Sequence, residues 1–278
     1  MTRLPITPGQ PLLLFTDLDG TLIDHHSYSA DEARAALDRL AARQIPVIFC
    51  SSKTFAEQIF LQKQLGLRQP FILENGSAVA IPEGYFEVLP SSENVFVKTL
   101  SGYKIFSLTS VNASIIRAEL SHFQDIQGFS NASDLELSQA TGLEGEALQR
   151  ARDRLFTETL LTSLDAGRVI FLNKKLAEKG ITLSRGGRFY TAQPAHTDKG
   201  KALLWLVGIF QKNRGEKPVL AATGDSLNDV AMLAAVDFPF LVQKHDGSWA
   251  DLPPVANLTK VKGIGPAGFS MAVEMLLG

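Results

Sequence analysis

Short apolar segments alternate with helix-like segments near both ends of this 278-residue chain. The apolar segments are almost uniformly hydrophobic, which is typical of strands that a parallel sheet buries on both faces. Right-handed connections through the helices then place helices on both faces of that sheet. The alternation predicts an α/β fold, with strands over 11–17, 45–52, 70–76, 218–225 and 237–242 and helices over 30–43, 54–66, 198–212 and 227–236.

Two of the predicted helices begin with a recognisable capping motif. Ser29 and Glu32 at the first helix, and likewise Thr54 and Glu57 at the second, have the spacing of a capping box. In such a box a hydroxyl and a carboxylate satisfy the first free backbone N–H groups. Gly66 is the predicted C-cap of the second helix, because glycine readily adopts the left-handed conformation that ends a helix.

The middle of the chain has a different pattern. It mixes half-exposed strands with helices, and it interrupts the parallel-sheet pattern, so we predict an α+β cap inserted into the core. The predicted elements of this part are strands over 103–110, 168–173 and 184–193 and helices over 113–124 and 144–156. The predicted core comprises residues 1–89 and 194–278, and the predicted cap comprises residues 90–193.

Composition excludes several classes of partner. The formal net charge of −2 gives no reason to expect nucleic acid or an anionic membrane surface as a partner. No apolar stretch approaches the ~20 residues of a membrane-spanning helix, and the first residues lack the apolar region of a signal peptide. Cys50 is the single cysteine, which excludes an intramolecular disulfide and fits a reducing compartment. We expect a soluble cytoplasmic protein, and composition does not predict its oligomeric state.

Polar residues follow several of the predicted strands. Asp17 and Asp19 follow the first strand, Ser51 follows the second and Asp225 follows a late one, with Asp229 just beyond it. Ligands of parallel α/β sheets bind outside the carboxyl ends of the strands. We therefore expect these side chains to meet in one crevice.

The expected crevice has the chemistry of a phosphoryl site. Carboxylates without a nearby histidine or cysteine suit a hard cation such as Mg²⁺. Lys199 at the start of the late helix adds an ammonium group, Ser51 adds a hydroxyl, and the turn at Gly20-Thr21 adds backbone amides. Such donors beside a divalent cation stabilise a transferring phosphoryl group.

The segments DLDGT (17–21) and GDSLND (224–229), together with Ser51 and Lys199, resemble the four motifs of the haloacid dehalogenase (HAD) superfamily of phosphatases. The resemblance implies a Rossmannoid parallel-sheet core. It also implies that Asp17 attacks phosphorus to form an aspartyl-phosphate, while Asp19 acts as general acid and then as general base.

The same resemblance implies the cofactor and its ligands. Mg²⁺ would be bound by Asp17, by the backbone carbonyl of Asp19 and by Asp225, with Asp229 slightly farther away. Ser51 and Lys199 would hold the phosphoryl oxygens. The expected partner is a small sugar phosphate, because the long insertion resembles the subgroup whose large α/β cap acts mainly on such esters.

Several segments resemble mannosyl-3-phosphoglycerate phosphatases, a family within this superfamily. They are residues 51–54, 62–67, 70–76, 81–86, 141–143, 186–189 and 198–202. The resemblance implies Mg²⁺-dependent hydrolysis of 2-O-(α-mannosyl)-3-phosphoglycerate to mannosylglycerate, a compatible solute, and phosphate. The chain departs from the family at Glu158-Thr159, where the family often has Glu-Pro, in an N-terminal extension of about ten residues and in the unfamiliar segment 244–249.

Candidate residues for substrate binding follow from the charges of such a substrate. Its carboxylate needs cations and amide donors in addition to those for phosphate, which Arg185-Gly186-Gly187-Arg188 can supply. The alternative for this segment is a hairpin turn with exposed arginines. Lys53 is a further candidate, as is Thr21 through its turn. Glu74 and Asn75 either meet sugar hydroxyls or pin the loop that leads to the cap.

The sequence leaves the activity open in three respects. A glucosyl ester, or a hexose or sucrose phosphate, could replace the mannosyl ester. A sugar phosphomutase would use the same fold and the same nucleophile. A catalytically silent sugar-phosphate sensor is the third alternative, and the intact set of Asp17, Asp19, Lys199 and Asp225 argues against it.

Overall fold

The computed structural model describes residues 11–90, 97–186 and 188–278. Nine strands form a large sheet in the order β12-β11-β10-β1-β2-β3-β4-β6-β5, and three form a small sheet in the order β7-β9-β8. The strands are β1 Leu12–Thr16, β2 Val47–Cys50, β3 Phe71–Leu73, β4 Ala78–Pro82, β5 Val97–Leu100, β6 Tyr103–Ser107, β7 Glu158–Leu160, β8 Ile181–Arg185, β9 Tyr190–Pro194, β10 Val219–Gly224, β11 Phe238–Gln243 and β12 Thr259–Ile264.

The large sheet is parallel from β12 to β3 and antiparallel from β3 to β5, because β4 runs opposite to β3. Helices cover both of its faces. The helices of the chain are α1 Arg34–Ala42, α2 Phe55–Leu65, α3 Ala113–Leu120, α4 Asp134–Thr141, α5 Gly145–Arg152, α6 Ala166–Leu176, α7 Lys199–Arg214, α8 Val230–Leu233 and α9 Gly265–Leu277.

Alternation along β1 explains why its residues are uniformly apolar. Leu12 and Leu14 point to one face, where they pack with α1, α2 and α9. Leu13 and Phe15 point to the other face, where they pack with α7 and α8. All four side chains are at most 6% exposed, so a strand of this kind has no polar face. The predicted α/β architecture is confirmed.

The two predicted capping boxes have different outcomes. Thr54 and Glu57 form the expected box at the start of α2, and Gly66 ends this helix with a left-handed φ of 69°. The Ser29 hydroxyl instead accepts the N–H of Asp31, and α1 begins only at Arg34. The prediction of a capping box at Ser29 is wrong because a short 3₁₀ turn precedes the helix.

The predicted strand over 168–173 is wrong, because these residues lie within α6. The Asp165 carboxylate caps this helix by accepting the N–H of Arg168 at 2.7 Å. Val169, Leu172 and Leu176 then pack on the small sheet at intervals of three and four residues. The four-residue apolar run 169–172 hid this helical spacing, which extends beyond its ends.

The first residues of the predicted insertion pair with the large sheet. β5 and β6 extend it beyond β4, so residues 97–107, which the prediction assigns to the cap, continue the large sheet. Both strands lie at the antiparallel edge, where a half-exposed pattern is normal. The half-exposed pattern of β5 and β6 resembles that of the residues that follow them, so the sequence alone does not separate the two groups. The division into a catalytic core and a substrate-selecting cap stays a prediction.

Helices α3 to α6 and the small sheet lie beyond the carboxyl ends of the parallel strands. The Glu74 carboxylate, directly after β3, accepts the backbone N–H groups of Leu155, Phe156 and Thr157 at 2.7–3.0 Å. The Thr54 hydroxyl donates to the carbonyl of Arg150 at 2.7 Å. These bonds fix the inserted residues to the large sheet. Among the described residues, every helix is too short or too polar to cross a lipid bilayer.

Candidate active site

Three carboxylates meet at the carboxyl ends of β1 and β10. The two strands are neighbours, and the N–H of Asp17 donates to the carbonyl of Thr223 at 2.9 Å. Asp17 therefore lies beside Asp225, which directly follows β10. Asp229 joins them from the next turn, and carboxylate oxygens of the three residues lie within 4.8 Å of one another.

Lys199 places a buried ammonium group between two of these carboxylates. Its Nζ lies 2.6 Å from Asp17 Oδ1 and 2.6 Å from Asp229 Oδ1. Lys199 is the first residue of α7, where Asp198 caps the helix. Gly200 allows this position, since a Cβ there would lie 2.3 Å from the carbonyl oxygen of Ala231. The close approach of α7 to α8 thus brings the ammonium to the carboxylates.

The donor set fits a hard divalent cation. Both oxygens of Asp229 are already engaged, one by Lys199 and the other by the N–H groups of Asp225 and Ser226 at 3.0 Å. Asp17 meets Lys199 through Oδ1, which leaves Oδ2 and the Asp225 carboxylate to face a cation. All these donors are oxygens, as Mg²⁺ requires. Asp229 is thus placed to orient Lys199 and the Asp225 backbone.

Burial makes the negative charges of this cluster costly without a cation. It raises the pKa of Asp17 to about 7, against the opposing effect of the Lys199 ammonium. Burial and the charge of Asp229 also raise the pKa of Asp225 well above its ordinary value. A bound cation would offset this cost, because it favours the ionised form of both carboxylates.

Lys53 forms a second charged group beside the first. Its Nζ lies 3.1 Å from Asp19 Oδ1 and 3.2 Å from Glu57 Oε1. Desolvation opposes its charge, but the carboxylates of Asp19 and Glu57 outweigh this effect and raise the pKa of Lys53. The side chain of Asp19 thus faces Lys53 and does not belong to the trio of Asp17, Asp225 and Asp229.

A cavity of about 190 Å³ separates these groups from the inserted residues. The large sheet and its loops contribute acidic, basic and aromatic side chains, and the inserted residues contribute mainly apolar, hydroxyl and arginine side chains. The lining residues are Asp17, Asp19, His25, Tyr28, Ser52, Lys53, Glu57, Asn75, Phe129, Thr141, Leu143, Ala151, Arg154, Thr159, Gly186, Arg188, Phe189, Thr191, Asp225, Ser226 and Asn228.

Some residues predicted for the site lie behind the cavity wall. Ser51 is 1% exposed, and its hydroxyl accepts the N–H of Lys53 at 3.2 Å. Lys199 and Asp229 are also buried, directly behind Asp17. The N–H of Thr21 donates to the carbonyl of Leu18 at 3.1 Å, so the turn does not offer this amide to a ligand.

The RGGR segment divides between the two sides of the small sheet. Gly186 and Arg188 line the cavity, and Arg188 donates to the Tyr28 hydroxyl and to the carbonyl of Thr141 at 3.3 Å. The guanidinium of Arg185 lies 5.6 Å from the ring centroid of Tyr190, away from the lining. These two residues are paired in β8 and β9. Gly187, also predicted for substrate binding, lies outside the described residues.

Glu74 and Asn75 have separate positions although they are adjacent. Glu74 is fully buried, and its contacts with residues 155–157 match the alternative in which it pins the loop to the cap. Asn75 lines the cavity with a left-handed φ of 59°, and its Nδ2 donates to Gln193 Oε1 at 2.9 Å.

Sequence reasoning missed most of the lining that comes from the inserted residues. Arg154 donates to the carbonyl of Ser52 at 3.2 Å and to the Thr157 hydroxyl at 3.0 Å, at the boundary of the two parts. Phe129 and Phe189 pack edge to face, with ring centroids 5.3 Å apart. Alternation in the predicted strand 184–193 could have put Thr191 on one face, but nothing in the sequence shows which face meets the site.

Comparisons with known proteins agree with this geometry. A family model described as haloacid dehalogenase-like hydrolase matches residues 14–246. Two glucosyl-3-phosphoglycerate/mannosyl-3-phosphoglycerate phosphatases are similar to the chain over 96% of its length and 97% of theirs. The one from Methanococcoides burtonii is 37% identical over 271 residues, and the one from Persephonella marina is 34% identical over 273 residues.

Solved structures resemble the fold at much lower identity. A sucrose-phosphatase from Synechocystis, solved with sucrose and phosphate, superposes with a TM-score of 0.59 at 15% identity, covering 96% of this chain and 98% of its own. The match of the family model covers most of the chain, including the inserted residues, and the two relatives extend the similarity to 96% of the chain. The chain therefore belongs to the haloacid dehalogenase-like hydrolases.

Proposed function

We propose that this protein is a Mg²⁺-dependent phosphatase of glycosyl-3-phosphoglycerates, with the mannosyl and the glucosyl ester as its substrates. The observation that carries the proposal is the similarity to the Methanococcoides burtonii phosphatase over 96% of the chain, because it includes the residues that line the cavity opposite the carboxylates. The mannosyl ester is proposed because segments of the sequence resemble mannosyl-3-phosphoglycerate phosphatases. The glucosyl ester is added because the names of both relatives include it.

In the proposed reaction Asp17 is the nucleophile. One of its carboxylate oxygens attacks phosphorus and forms an O–P bond while the bond from phosphorus to the ester oxygen breaks. Asp19 protonates the leaving oxygen, then takes a proton from the water that attacks the aspartyl-phosphate, which releases phosphate and free Asp17. Lys199 fixes the orientation of the attacking carboxylate through its 2.6 Å contact with Oδ1.

Asp17 and Asp225 are the proposed cation ligands, with the backbone carbonyl of Asp19 as a third. The bound cation would neutralise charge on the phosphoryl oxygens. Lys53 balances the charge of Asp19 from 3.1 Å and adds a positive group near the phosphate. Arg188 is the proposed partner of the substrate carboxylate, since its guanidinium can bind such a group through two parallel hydrogen bonds.

The experiment is a measurement of phosphate release at a fixed Mg²⁺ concentration. The substrates are mannosyl-3-phosphoglycerate, glucosyl-3-phosphoglycerate, 3-phosphoglycerate, a hexose phosphate and sucrose phosphate. We expect both glycosyl-3-phosphoglycerates to have a kcat/KM at least about 100-fold above those of the other esters, which corresponds to about 2.7 kcal/mol of selective binding. Addition of EDTA should abolish turnover, and excess Mg²⁺ should restore it.

Two results would contradict the proposal. Equal or faster turnover of hexose or sucrose phosphate would show a different substrate class for the same chemistry. Formation of an isomerised sugar phosphate without release of phosphate would identify a phosphomutase. The Asp17→Asn variant, purified in the same way, measures phosphate release by contaminating enzymes.

A further inference from the structure

The small sheet has one apolar face and one polar face. Leu160, Leu183 and Ala192 pack on the helices behind it. Thr159 and Thr191 are cross-strand partners, so their side chains share the opposite face. A polar face of this kind is normally in contact with water. Here Thr159 and Thr191 are only 5% and 7% exposed, and both line the cavity.

Gln193 on this polar face is hydrogen-bonded, but two buried atoms beside it are not, within the described part of the chain. Gln193 accepts from Asn75 at 2.9 Å and from the Ser184 hydroxyl at 2.7 Å through its Oε1. Among the described residues, no partner exists for Thr159 Oγ1 or for Asn75 Oδ1, although both atoms are buried. A buried polar group without a hydrogen bond destabilises the fold, because it has lost its bonds to water. Since both residues line the cavity, a ligand there can supply the missing bond.

The surroundings indicate what kind of ligand group this is. The lining contains the cations Lys53, Arg154 and Arg188, and Arg154 already donates to Ser52 and Thr157. Thr159 and Asn75 offer a neutral hydroxyl and a neutral amide oxygen. Phe129 and Phe189 add apolar ring surface to the same cavity. Neutral hydrogen-bonding groups beside aromatic rings suit a sugar, which has hydroxyl groups around an apolar C–H surface.

We infer that the polar face of the small sheet is the sugar subsite, and that the Thr159 hydroxyl forms a hydrogen bond with a hydroxyl group of the glycosyl ring. This inference rests on the proposed function, and it adds a specificity-determining residue to it. Thr159 binds the part of the substrate that does not react, so it acts on substrate choice and not on the phosphoryl transfer.

Thr159→Val tests the inference because it removes the hydroxyl and keeps the shape of the side chain. The matched control is Thr182→Val in β8, whose hydroxyl donates to Asn173 Oδ1 at 3.0 Å and does not line the cavity. Both variants are compared with the wild type on glucosyl-3-phosphoglycerate, mannosyl-3-phosphoglycerate and p-nitrophenyl phosphate, which has no sugar. Thr159→Ser restores the hydroxyl.

We expect Thr159→Val to lower kcat/KM by about tenfold for at least one glycosyl ester, mainly through KM, as the loss of one hydrogen bond predicts. Turnover of p-nitrophenyl phosphate should stay within about twofold of the wild type, since a change of twofold is under 0.5 kcal/mol. Thr159→Ser should recover most of the loss. Thr182→Val should show no selective loss.

The outcomes separate the inference from the proposed function. A wild type that hydrolyses p-nitrophenyl phosphate but neither glycosyl ester would contradict the proposed function, and the inference would fall with it. An active wild type whose Thr159→Val variant loses activity equally on all esters, or on none, would contradict the inference alone. If Thr159→Val does not fold, Thr159→Ala removes the hydroxyl without adding a methyl group and is compared in the same way.

Discussion

The large and the small sheet bury their strands in different ways. A central strand such as β1 is apolar on both faces, so its polar residues can only follow its end, as Asp17 does. The small sheet is apolar on one face only, and Thr159 and Thr191 lie within its strands, facing the cavity. The proposed chemistry of this molecule is thus located at strand ends, and the proposed choice of substrate on a strand face.

The largest expected effect is at the end of β1. Asp17→Asn removes the proposed nucleophile, and we expect turnover of every phosphate ester to fall at least about 1,000-fold. The measurement is kcat at saturating Mg²⁺ and substrate. Asp38→Asn is the matched control, since Asp38 is exposed on α1 and should tolerate the change. Activity of Asp17→Asn near that of the control would exclude Asp17 as the nucleophile.

Lys199→Met tests how far the carboxylate cluster depends on its buried ammonium. In the wild type the Lys199 ammonium lies 2.6 Å from the carboxylates of Asp17 and Asp229. The change removes this ammonium and leaves both carboxylates buried without a partner. We expect the free energy of unfolding to fall by about 3–5 kcal/mol. Urea denaturation in the absence of divalent cations measures it. Lys212→Met on the exposed side of α7 is the control, and equal stability of the two variants would contradict the role given to Lys199.

Glu74→Gln weakens the link between the two parts of the molecule. An amide group would replace one of two oxygens that together accept the N–H groups of residues 155–157. We expect a loss of about 2 kcal/mol in the free energy of unfolding, since hydrogen bonds to charged groups contribute about 1.5–3 kcal/mol. Glu146→Gln is the control, because the side chain of Glu146 is 93% exposed. A loss no larger than that of the control would show that this link is weak.

The two arginines of the RGGR segment, Arg185 and Arg188, test which side of the small sheet binds the substrate. Arg188→Ala should raise KM for the glycosyl-3-phosphoglycerates by about tenfold, as the loss of a charge-assisted hydrogen bond predicts. Arg185→Ala should leave KM unchanged, because Arg185 packs on Tyr190 away from the cavity. Steady-state kinetics on both esters measures the difference. Equal effects of the two changes would contradict the assignment of faces.

The large sheet could be predicted from the sequence because its signals are local. A uniform apolar run ending in Asp17 gives both the strand and the position of the carboxylate. The helix starting at Lys199 was predicted with nearly its observed bounds for the same reason. The contact of Lys199 with Asp229 was not predictable, since it depends on how closely α7 packs on α8 at Gly200.

The lining from the inserted residues could not be predicted in the same way. Thr159 lies in a three-residue strand, too short for a period to be recognised. Arg185 and Arg188 are equivalent candidates in the sequence, and only the pairing of β8 with β9 shows that Arg185 lies beside Tyr190. The helix α6 was missed because its run of four apolar residues, 169–172, also suits a strand. In each case a long-range contact decides what the local pattern leaves open.

We propose that strand-end residues perform the chemistry and that the small sheet, with its turn between β8 and β9, chooses the substrate. The ratio of kcat/KM for a glycosyl-3-phosphoglycerate to kcat/KM for p-nitrophenyl phosphate tests this division of roles. The ratio is measured in the wild type, in Asp225→Asn and in Arg188→Ala. Asp225 follows β10 and lies in the carboxylate trio, whereas Arg188 lines the opposite side of the cavity.

We expect Asp225→Asn to slow both substrates by similar factors, so the ratio stays within about threefold of that of the wild type, a difference of about 0.7 kcal/mol. Arg188→Ala should lower the ratio by about tenfold, because only the glycosyl ester carries the carboxylate that Arg188 is proposed to bind. A ratio that falls equally in both variants, or that falls only in Asp225→Asn, would contradict this division of roles.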